Sequence, residues 1–326
     1  MKISSWFISS LLAGFALVLG LAIAAFYLNL GVPTESSRWC YEISEKKRHL
    51  ATNTPSPKLL LVGGSSTLFG ISAREIQSQT GCPTINLGTH AALGPTYILN
   101  QVKEVARPGD TVLLTLEYEL YTYGKLDPGW ADKLVVDYII ARDPVFFHGL
   151  SRAEQWNLFM LTPAQRLKRG LKNLRKPERR GENMGVYEAS FLNEWGDQTH
   201  HLQAARPPKA AQIAQMRSLL GQGLPEVPKG FDAIASFCKW AQTNHIRVLA
   251  TYPNICEQPE YHLPRAKQAA QTIRDFFTAH NVPVLGDYTE PMLPPDQFFD
   301  TMYHLTEEAS LTRTRRLLVH LGPCLK

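Results

Sequence analysis

The chain has 326 residues, of which 44% are hydrophobic and 19% charged, and its formal net charge is +5. This length allows two domains or one large α/β domain with an insertion, and the hydrophobic share excludes a disordered chain. Eight cations and one acid lie between Arg166 and Arg180, so that this segment alone carries +7 and the rest of the chain is nearly neutral. One local basic patch is not the charge distribution of a DNA-binding domain, so we expect no nucleic-acid partner.

The N-terminal segment is apolar enough to span a membrane. No charged residue occurs from Ile3 to Thr34, and Trp6 to Leu30 is almost wholly apolar, which exceeds the about 20 residues that a membrane-spanning helix needs. Ala22-Ile23-Ala24 resembles a signal-peptidase site, so cleavage is the alternative. Because the apolar run continues past that site, the sequence favours an uncleaved anchor over residues 1–34, followed by a linker over residues 35–57.

The rest of the chain alternates short apolar runs with helical patterns. Strands are expected at 58–62, 84–87, 111–116, 247–252 and 282–285, and helices at 72–79, 95–106, 231–243, 265–280 and 306–321. This alternation predicts right-handed crossovers and an α/β fold with a doubly wound parallel sheet. The segment from about 123 to 228 breaks the pattern, and we interpret it as a helical insertion within a domain of residues 58–326.

Ligands of a doubly wound sheet bind at the carboxyl ends of its strands. Gly63-Gly64-Ser65-Ser66-Thr67 follows the first predicted strand directly, and two glycines permit a tight turn that lifts the next side chain away from the sheet. A serine in that position can act as a nucleophile if a base lies within hydrogen-bond reach. The alternatives are a plain glycine-serine loop or a phosphate-binding turn, although the complete G-x-x-x-x-G-K-[ST] pattern is absent.

His304 is the candidate base, because it lies just ahead of the last predicted helix. Asp300 is close enough along the chain to orient the imidazole and to stabilise the imidazolium, as the acid of a Ser-His-Asp triad does. Asn254 follows the fourth predicted strand at the same edge of the sheet, where it either lines a pocket or forms an ordinary turn.

Three other features are less specific. Asn193-Glu194-Trp195-Gly196-Asp197 combines an aromatic ring with amide and acid groups, as saccharide sites do, but Trp195 could equally anchor the insertion by packing. The basic segment is either a solvated helix face or a contact for anionic lipid or an anionic polymer. The five cysteines have no metal-ligand spacing, so we expect no metal site, and Cys238 and Cys256 could form a bridge because they flank a short strand.

Three blocks, in this order, resemble the SGNH (GDSL-like) hydrolase superfamily: Gly63-Gly64-Ser65, Asn86-Leu87-Gly88, and the Asp-plus-His loop before the C-terminal helix. Within that superfamily, Leu-Val-Gly-Gly-Ser-Ser-Thr-Leu-Phe-Gly-Ile is similar to the membrane-anchored branch. That branch includes accessory proteins of alginate O-acetylation and of D-alanyl transfer to teichoic acids. The resemblance covers about 58–121 and 246–321 and implies a three-layer α/β/α fold.

The resemblance implies a role for each matching residue. Ser65 matches the nucleophile, with Ser66 as the fallback if the register differs by one residue, and His304 matches the base. Gly88 matches the oxyanion glycine of the second block. The remaining candidates for oxyanion or substrate binding are Gly64, Asn86, Glu117 and Asn254.

Two departures from the family pattern concern the chemistry. Glu117-Tyr118-Glu119 stands where the family has an oxyanion-binding Asn, and a carboxylate there would repel the oxyanion unless it is protonated or turned away. The segment from Asp300 to His304 reads D-x-x-x-H, one residue longer than the family's D-x-x-H. Either the loop bulges, or another group such as Glu117 assists His304.

Together these features predict a membrane-anchored serine hydrolase or O-acyltransferase that acts on acyl esters, acetyl first among them, of an extracytoplasmic glycan. No cofactor or metal is expected. The extracytoplasmic position of the body and an integral-membrane acyltransferase partner are implied by the resemblance alone. The alternative is a non-catalytic binding or scaffold subunit of a polysaccharide-modification complex.

Overall fold

The computed structural model describes residues 5–124, 133–176, 185–200, 203–204, 206–322 and 325. The end of the basic segment, 177–180, and Cys324 lie outside these residues. Within the described ranges the helices are α1 (Ser5–Leu28), α2 (Arg38–Asn53), α3 (Ser65–Gly70), α4 (Ala73–Thr80), α5 (Gly94–Val105), α6 (Tyr118–Thr122), α7 (Lys133–Arg142), α8 (Pro144–Gly149), α9 (Arg152–Leu161), α10 (Ala164–Asn173), α11 (Pro207–Ile213), α12 (Gly230–Thr243), α13 (Pro264–Ala279) and α14 (Glu307–Leu321). The strands are β1 (Leu59–Val62), β2 (Thr84–Asn86), β3 (Thr111–Leu114), β4 (Arg247–Thr251), β5 (Ile255–Cys256), β6 (Val284–Leu285) and β7 (Met292–Leu293).

Five of the strands form one parallel sheet in the order β2-β1-β3-β4-β6. Leu60 of β1 pairs with Ile85 of β2 on one side and with Val112 of β3 on the other. The chain runs outward from β1 to β2 and then returns to β3, so the winding direction reverses between β1 and β3. In sheets of this order, the carboxyl ends of those two strands border the ligand crevice. β5 and β7 form a separate parallel pair.

Helices pack against both faces of the sheet. Leu59 and Leu61 of β1 share a core cluster with Ile76 of α4 and Leu317 of α14. α5, α12 and α13 pack on one another, for example through the stacked rings of Phe231 and Phe276, and right-handed crossovers place them on the other face. The predicted α/β fold with a parallel sheet is therefore confirmed, and the five predicted strands and their helices lie within a few residues of their expected positions.

The segment expected as a linker, residues 35–57, contains helix α2. Its buried positions are Cys40, Ile43, Lys47 and Ala51, and their spacing of three or four residues is that of one helix face. The many charges of this segment obscured the stripe in the sequence, because Lys47 occupies one of its buried positions.

Two compact units make up the chain. The N-terminal unit comprises residues 1–41 and 128–182, and the sheet unit comprises residues 42–127 and 183–326. The expected insertion of 123–228 is thus divided, because α7 to α10 belong with α1 whereas 183–228 belongs with the sheet. Helix α1 is long and apolar enough to cross a membrane, with a mean hydropathy of 2.4 over an 18-residue window within Trp6–Leu28. Cys238 and Cys256 are buried free thiols.

Candidate active site

Ser65 is the first residue of α3 and follows the carboxyl end of β1 through Gly63 and Gly64. It is partly exposed, whereas the five residues after it are buried. The Oγ of Ser66 is buried and has no hydrogen-bond partner among the described residues. Because a nucleophile must be reached by its substrate, this geometry favours Ser65 over Ser66.

Neighbouring backbone atoms approach Gly64 and Gly88 so closely that a larger residue would not fit at either position. A Cβ atom on Gly64 would lie 2.6 Å from Ala91 Cα, and one on Gly88 would lie 2.3 Å from the backbone nitrogen of Leu68 in α3. Such contacts with backbone atoms cannot be relieved by turning a side chain. The glycines of the first two blocks therefore let β1, α3 and the loop after β2 meet at one point.

His304 and Asp300 face each other across a tight turn. Phe298 and Leu305 form an antiparallel bridge, and the Phe299 N–H donates to the His304 carbonyl at 3.1 Å. This hairpin brings Nδ1 of His304 within 2.6 Å of Oδ1 of Asp300. The longer D-x-x-x-H spacing thus does not prevent contact between Asp300 and His304.

Tyr187 adds a contact to this pair that the sequence did not indicate. Its hydroxyl donates to Oδ2 of Asp300 at 2.6 Å and lies 3.5 Å from Nδ1 of His304. Burial would raise the pKa of Asp300, but the hydrogen bond and charge of His304 and the Tyr187 hydroxyl outweigh it and lower that pKa. Asp300 therefore stays ionised and can hold the imidazole in one orientation.

An aromatic cluster places the His304 ring against α3. The ring of Phe69 lies 4.6 Å from the His304 ring and 5.7 Å from the Tyr187 ring, measured between centroids. Phe69 follows Ser65 by four residues, so the two side chains lie on the same face of α3. Across the described part of the chain, Ser65 and His304 make no hydrogen bond to each other; in enzymes without substrate such bonds are often long and tighten only in the complex.

Glu117 follows β3 and reaches the turn that carries Ser65. Its Oε2 accepts from the Gly64 N–H at 3.0 Å, and its Oε1 accepts from the Ser66 N–H at 2.8 Å. Burial raises the pKa of Glu117, although the N–H groups of Ser66 and Gly64 oppose that shift. The carboxylate is thus engaged by the backbone on both sides of Ser65, while Asp300, not Glu117, orients His304.

Asn86 and Gly88 brace the same turn. The Asn86 Nδ2 donates to the carbonyls of Thr67 and Ile71 at 3.0 Å each, and its Oδ1 accepts from the Gly88 N–H at 2.9 Å. The buried Lys47 ammonium donates to the Gly88 carbonyl at 2.6 Å. A role of Gly88 or Asn86 as an oxyanion donor stays a prediction. For Gly88 it would require the N–H to leave Asn86 Oδ1, and for Asn86 it would require Nδ2 to leave the carbonyls of Thr67 and Ile71.

Asn254 is buried and contacts the residue before His304. Its Nδ2 donates to the Tyr303 carbonyl at 2.6 Å, and both Asn254 and His304 are buried. Asn254 is therefore suited to fix the turn that carries His304.

The segment that could have formed a saccharide site serves packing. Trp195 packs partly buried against the sheet core, and its carbonyl accepts from the Asn86 N–H at 2.8 Å. Asp197 accepts from the N–H groups of Ala73 and Arg74 at 2.8 and 2.9 Å, at the start of α4. These contacts correspond to the packing alternative. Among the described residues, no group of three or more His, Cys, Asp or Glu side chains is arranged to hold a metal ion.

Comparison with known proteins identifies no relative by sequence: no protein-family model matches the chain, and no curated protein matches it. Among solved structures, the fold is similar to one described as "a putative platelet activating factor from Streptococcus pneumonia". The two share 11% sequence identity with a TM-score of 0.41, and the similarity covers 89% of this chain and 94% of the other.

Proposed function

We propose that the protein is a serine hydrolase or O-acyltransferase in which Ser65 is the nucleophile, His304 the base and Asp300 the orienting acid. The observation that carries this proposal is the Asp300–His304 pair, held at 2.6 Å and packed through Phe69 on the helix that begins at Ser65. Acyl transfer requires a serine within reach of an oriented imidazole, and Phe69, on the same face of α3 as Ser65, contacts the oriented His304 ring.

The chemistry follows from these positions. Ser65 Oγ attacks the acyl carbonyl carbon while its proton moves to Nε2 of His304, and Asp300 stabilises the resulting imidazolium at Nδ1. The Ser65 N–H makes no hydrogen bond within the described residues, so it is available to the oxyanion. When the intermediate collapses, the ester C–O bond breaks and His304 returns the proton to the leaving oxygen. Water or a sugar hydroxyl then attacks the acyl-enzyme, with His304 again taking and returning the proton.

A fluorophosphonate probe tests the nucleophile. The full chain in detergent should be labelled, the Ser65→Ala variant should not, and the Ser66→Ala variant should be labelled like the wild type, because the buried Ser66 Oγ has no partner to lose. Equal labelling of wild type and Ser65→Ala would remove Ser65 from this role.

The substrate proposed is an acyl ester, acetyl first, on an extracytoplasmic glycan, with the protein held at the membrane by α1. This part rests on the resemblance of the three sequence blocks and on the apolar length of α1. Release of acetate from an O-acetylated polysaccharide, dependent on Ser65 and His304, would support it. A protein that hydrolyses p-nitrophenyl acetate but releases no acyl group from any acylated glycan would contradict the glycan assignment.

A second candidate function is that of a non-catalytic scaffold subunit, and the surroundings of Ser65 favour it in one respect. Glu117 occupies the N–H groups of Gly64 and Ser66, and Asn86 occupies that of Gly88, so three backbone donors around Ser65 are already engaged. Hydrolysis of p-nitrophenyl acetate that requires both Ser65 and His304 would exclude this function.

A further inference from the structure

One face of the end of α1 packs against α8, α9 and α10 in the N-terminal unit. We call the helices α7 to α10 the collar. Phe26 is only 2% exposed, and its ring lies 5.6 Å from that of Phe147 in α8 and 5.5 Å from that of Phe159 in α9. By contrast, Phe15 and Leu21, earlier in α1, are 67% and 62% exposed. The collar therefore covers the face of the helix end that carries Phe26, whereas Tyr27 and Leu28 beside it are 47% and 59% exposed.

Polar contacts make this junction specific. Asn29 is fully buried, its Oδ1 accepts from Nη1 of Arg166 at 2.6 Å, and its Nδ2 donates to the Leu167 carbonyl at 3.2 Å. A Cβ atom on Gly170 would lie 1.5 Å from Asn29 Oδ1, so a larger residue there would displace the Asn29 side chain from this junction. Because α1 runs as one helix through Ala24 into this packed end, the structure favours an uncleaved α1.

The length of α1 places the collar at a membrane surface if α1 spans the bilayer. The segment from Ser5 to Ala25 precedes the packed end and is about 31 Å long at 1.5 Å per residue. This length matches a hydrocarbon core of about 30 Å. The collar then begins where the lipid head groups begin.

The collar exposes apolar side chains next to the end of α1. Trp156, Met160, Leu171 and Leu174 are 47%, 64%, 38% and 52% exposed. The ring of Trp156 lies 5.2 Å from that of Phe159, which itself contacts Phe26 of α1. Tryptophan favours the boundary between lipid and water, where its ring is apolar and its N–H can remain hydrated.

The collar is also basic, on the side of α10 that does not face α1. Arg166, Gly170 and Asn173 form the buried stripe of α10. The exposed cations on and just after this helix are Lys168, Arg169, Lys172, Arg175 and Lys176. A helix with exposed cations and apolar side chains at the head-group level is attracted to anionic lipid.

We propose that the collar is a lipid-binding surface: it lies on the membrane beside α1, with its apolar side chains among the acyl-chain ends and its cations at anionic phospholipid head groups. The proposal rests on α1 being the membrane anchor of the proposed function. It assigns the exposed cations of α10, Lys168, Arg169 and Lys172, together with Arg175 and Lys176 just after it, to the position of the N-terminal unit on the bilayer and not to the chemistry at Ser65.

Photocrosslinking in nanodiscs tests the proposal on the full chain. p-Benzoylphenylalanine is incorporated in place of Phe15, Met160 or Leu171, and lipid adducts are detected by intact mass. We expect adducts at all three positions. An adduct at Phe15 without adducts at Met160 and Leu171 would overturn the collar proposal while leaving the anchor intact. Without an adduct at Phe15 the anchor itself fails, and the collar proposal fails with it; fluorophosphonate labelling of Ser65 reports separately on the catalytic proposal.

Charge reversal tests the preference for anionic lipid. The adduct yield at Leu171 should be severalfold higher in mixed phosphatidylcholine and phosphatidylglycerol than in phosphatidylcholine alone. The triple variant Lys168→Glu, Lys172→Glu, Arg175→Glu should lose that difference. The matched control reverses three exposed cations of the sheet unit, Lys239, Arg265 and Lys267, and should keep it.

Two results would contradict this assignment. One is an equal adduct yield in the two lipid mixtures. The other is that the protein in phosphatidylcholine nanodiscs binds soluble polygalacturonate and that the triple variant does not. The cations would then bind an anionic polymer.

Discussion

The imidazole of His304 and the carboxylate of Asp300 are hydrogen bonded at 2.6 Å although three residues separate them in the chain. The hairpin closed by Phe298 and Leu305 brings them together. Their spacing is therefore compatible with a functional acid–base pair, and the pair can be tested without reference to any family pattern.

Asp300→Asn should abolish most of the turnover. The amide would favour the wrong tautomer of His304 and would not stabilise the imidazolium, so we expect kcat to fall by about 10²–10⁴-fold. Hydrolysis of p-nitrophenyl acetate by the full chain in detergent measures this loss. Asp296→Asn, in the preceding short 3-10 turn, is the control. Unchanged turnover in Asp300→Asn would show that the pair has no catalytic role.

Tyr187→Phe should lower kcat about tenfold and leave KM nearly unchanged. It removes one hydrogen bond to the charged Asp300 carboxylate, and such a bond contributes about 1.5–3 kcal/mol. KM should not change because the lost bond is to Asp300 and not to the substrate. The ring, and hence its packing on Phe69, is retained. Tyr288→Phe, at a half-buried tyrosine elsewhere in the sheet unit, serves as the control. A rise in KM with kcat unchanged would instead place Tyr187 in substrate binding.

Variants of Glu117 should follow a fixed order of stability. Glu117→Ala leaves the buried N–H groups of Gly64 and Ser66 without an acceptor, whereas Glu117→Gln keeps one acceptor oxygen. Each unsatisfied buried donor costs about 1–3 kcal/mol, so the melting temperature should fall from wild type to Gln to Ala. Glu226→Ala, at an exposed position, should have little effect. The reverse order would mean that the buried charge of Glu117 outweighs its hydrogen bonds.

Gly88→Ala should strongly destabilise the sheet unit. The added Cβ would lie 2.3 Å from the Leu68 nitrogen and 2.8 Å from the Thr67 carbonyl carbon, and overpacking of this kind costs about 1–3 kcal/mol or more. Gly149→Ala is the matched control, because a Cβ atom there meets nothing within 4 Å. Thermal unfolding in detergent compares them, and equal melting temperatures would contradict the close packing of the second block on α3.

Lys47 should make stability rise with pH. Burial lowers its pKa to about 7, although Asp197 opposes that shift, while in the unfolded chain a lysine titrates near 10.4. Between these values the unfolded chain binds more protons, so the free energy of unfolding increases with pH, by up to about 1.4 kcal/mol per unit. Lys47→Met should remove this rise, and the exposed Lys239→Met should not. Parallel stability profiles of wild type and Lys47→Met from pH 7.5 to 10 would contradict the lowered pKa.

Much of the fold could be read from local pattern. Short apolar runs such as Leu59–Val62, ended by glycine and followed by helix formers, predicted the strands and their alternation with helices. That alternation is enough to place Ser65 at a strand end, since parallel strands with helical crossovers expose their carboxyl ends at one edge. The apolar length of α1 was equally evident, because it depends on composition alone.

What the sequence could not supply are contacts between residues far apart in the chain. The hydrogen bond from the Tyr187 hydroxyl to Asp300 joins residues 113 positions apart in the chain. The hydrogen bond from the Ser66 N–H to the Glu117 carboxylate joins residues 51 positions apart. Neither residue lies in a periodic pattern that would reveal its partner. Lys47 was hidden for a related reason, because a charged side chain on a buried helix face breaks the hydrophobic stripe that would have identified α2.

The sequence by itself determined the succession of strands and helices, the apolar length of α1 and the glycine-serine turn, because periodicity, composition and turn chemistry are local properties. Only the tertiary structure decided which groups surround Ser65, how the D-x-x-x-H loop closes, and that α10 belongs to the same compact unit as α1. Those outcomes depend on hydrogen bonds and packing between distant segments, and no local pattern in the chain specifies their partners.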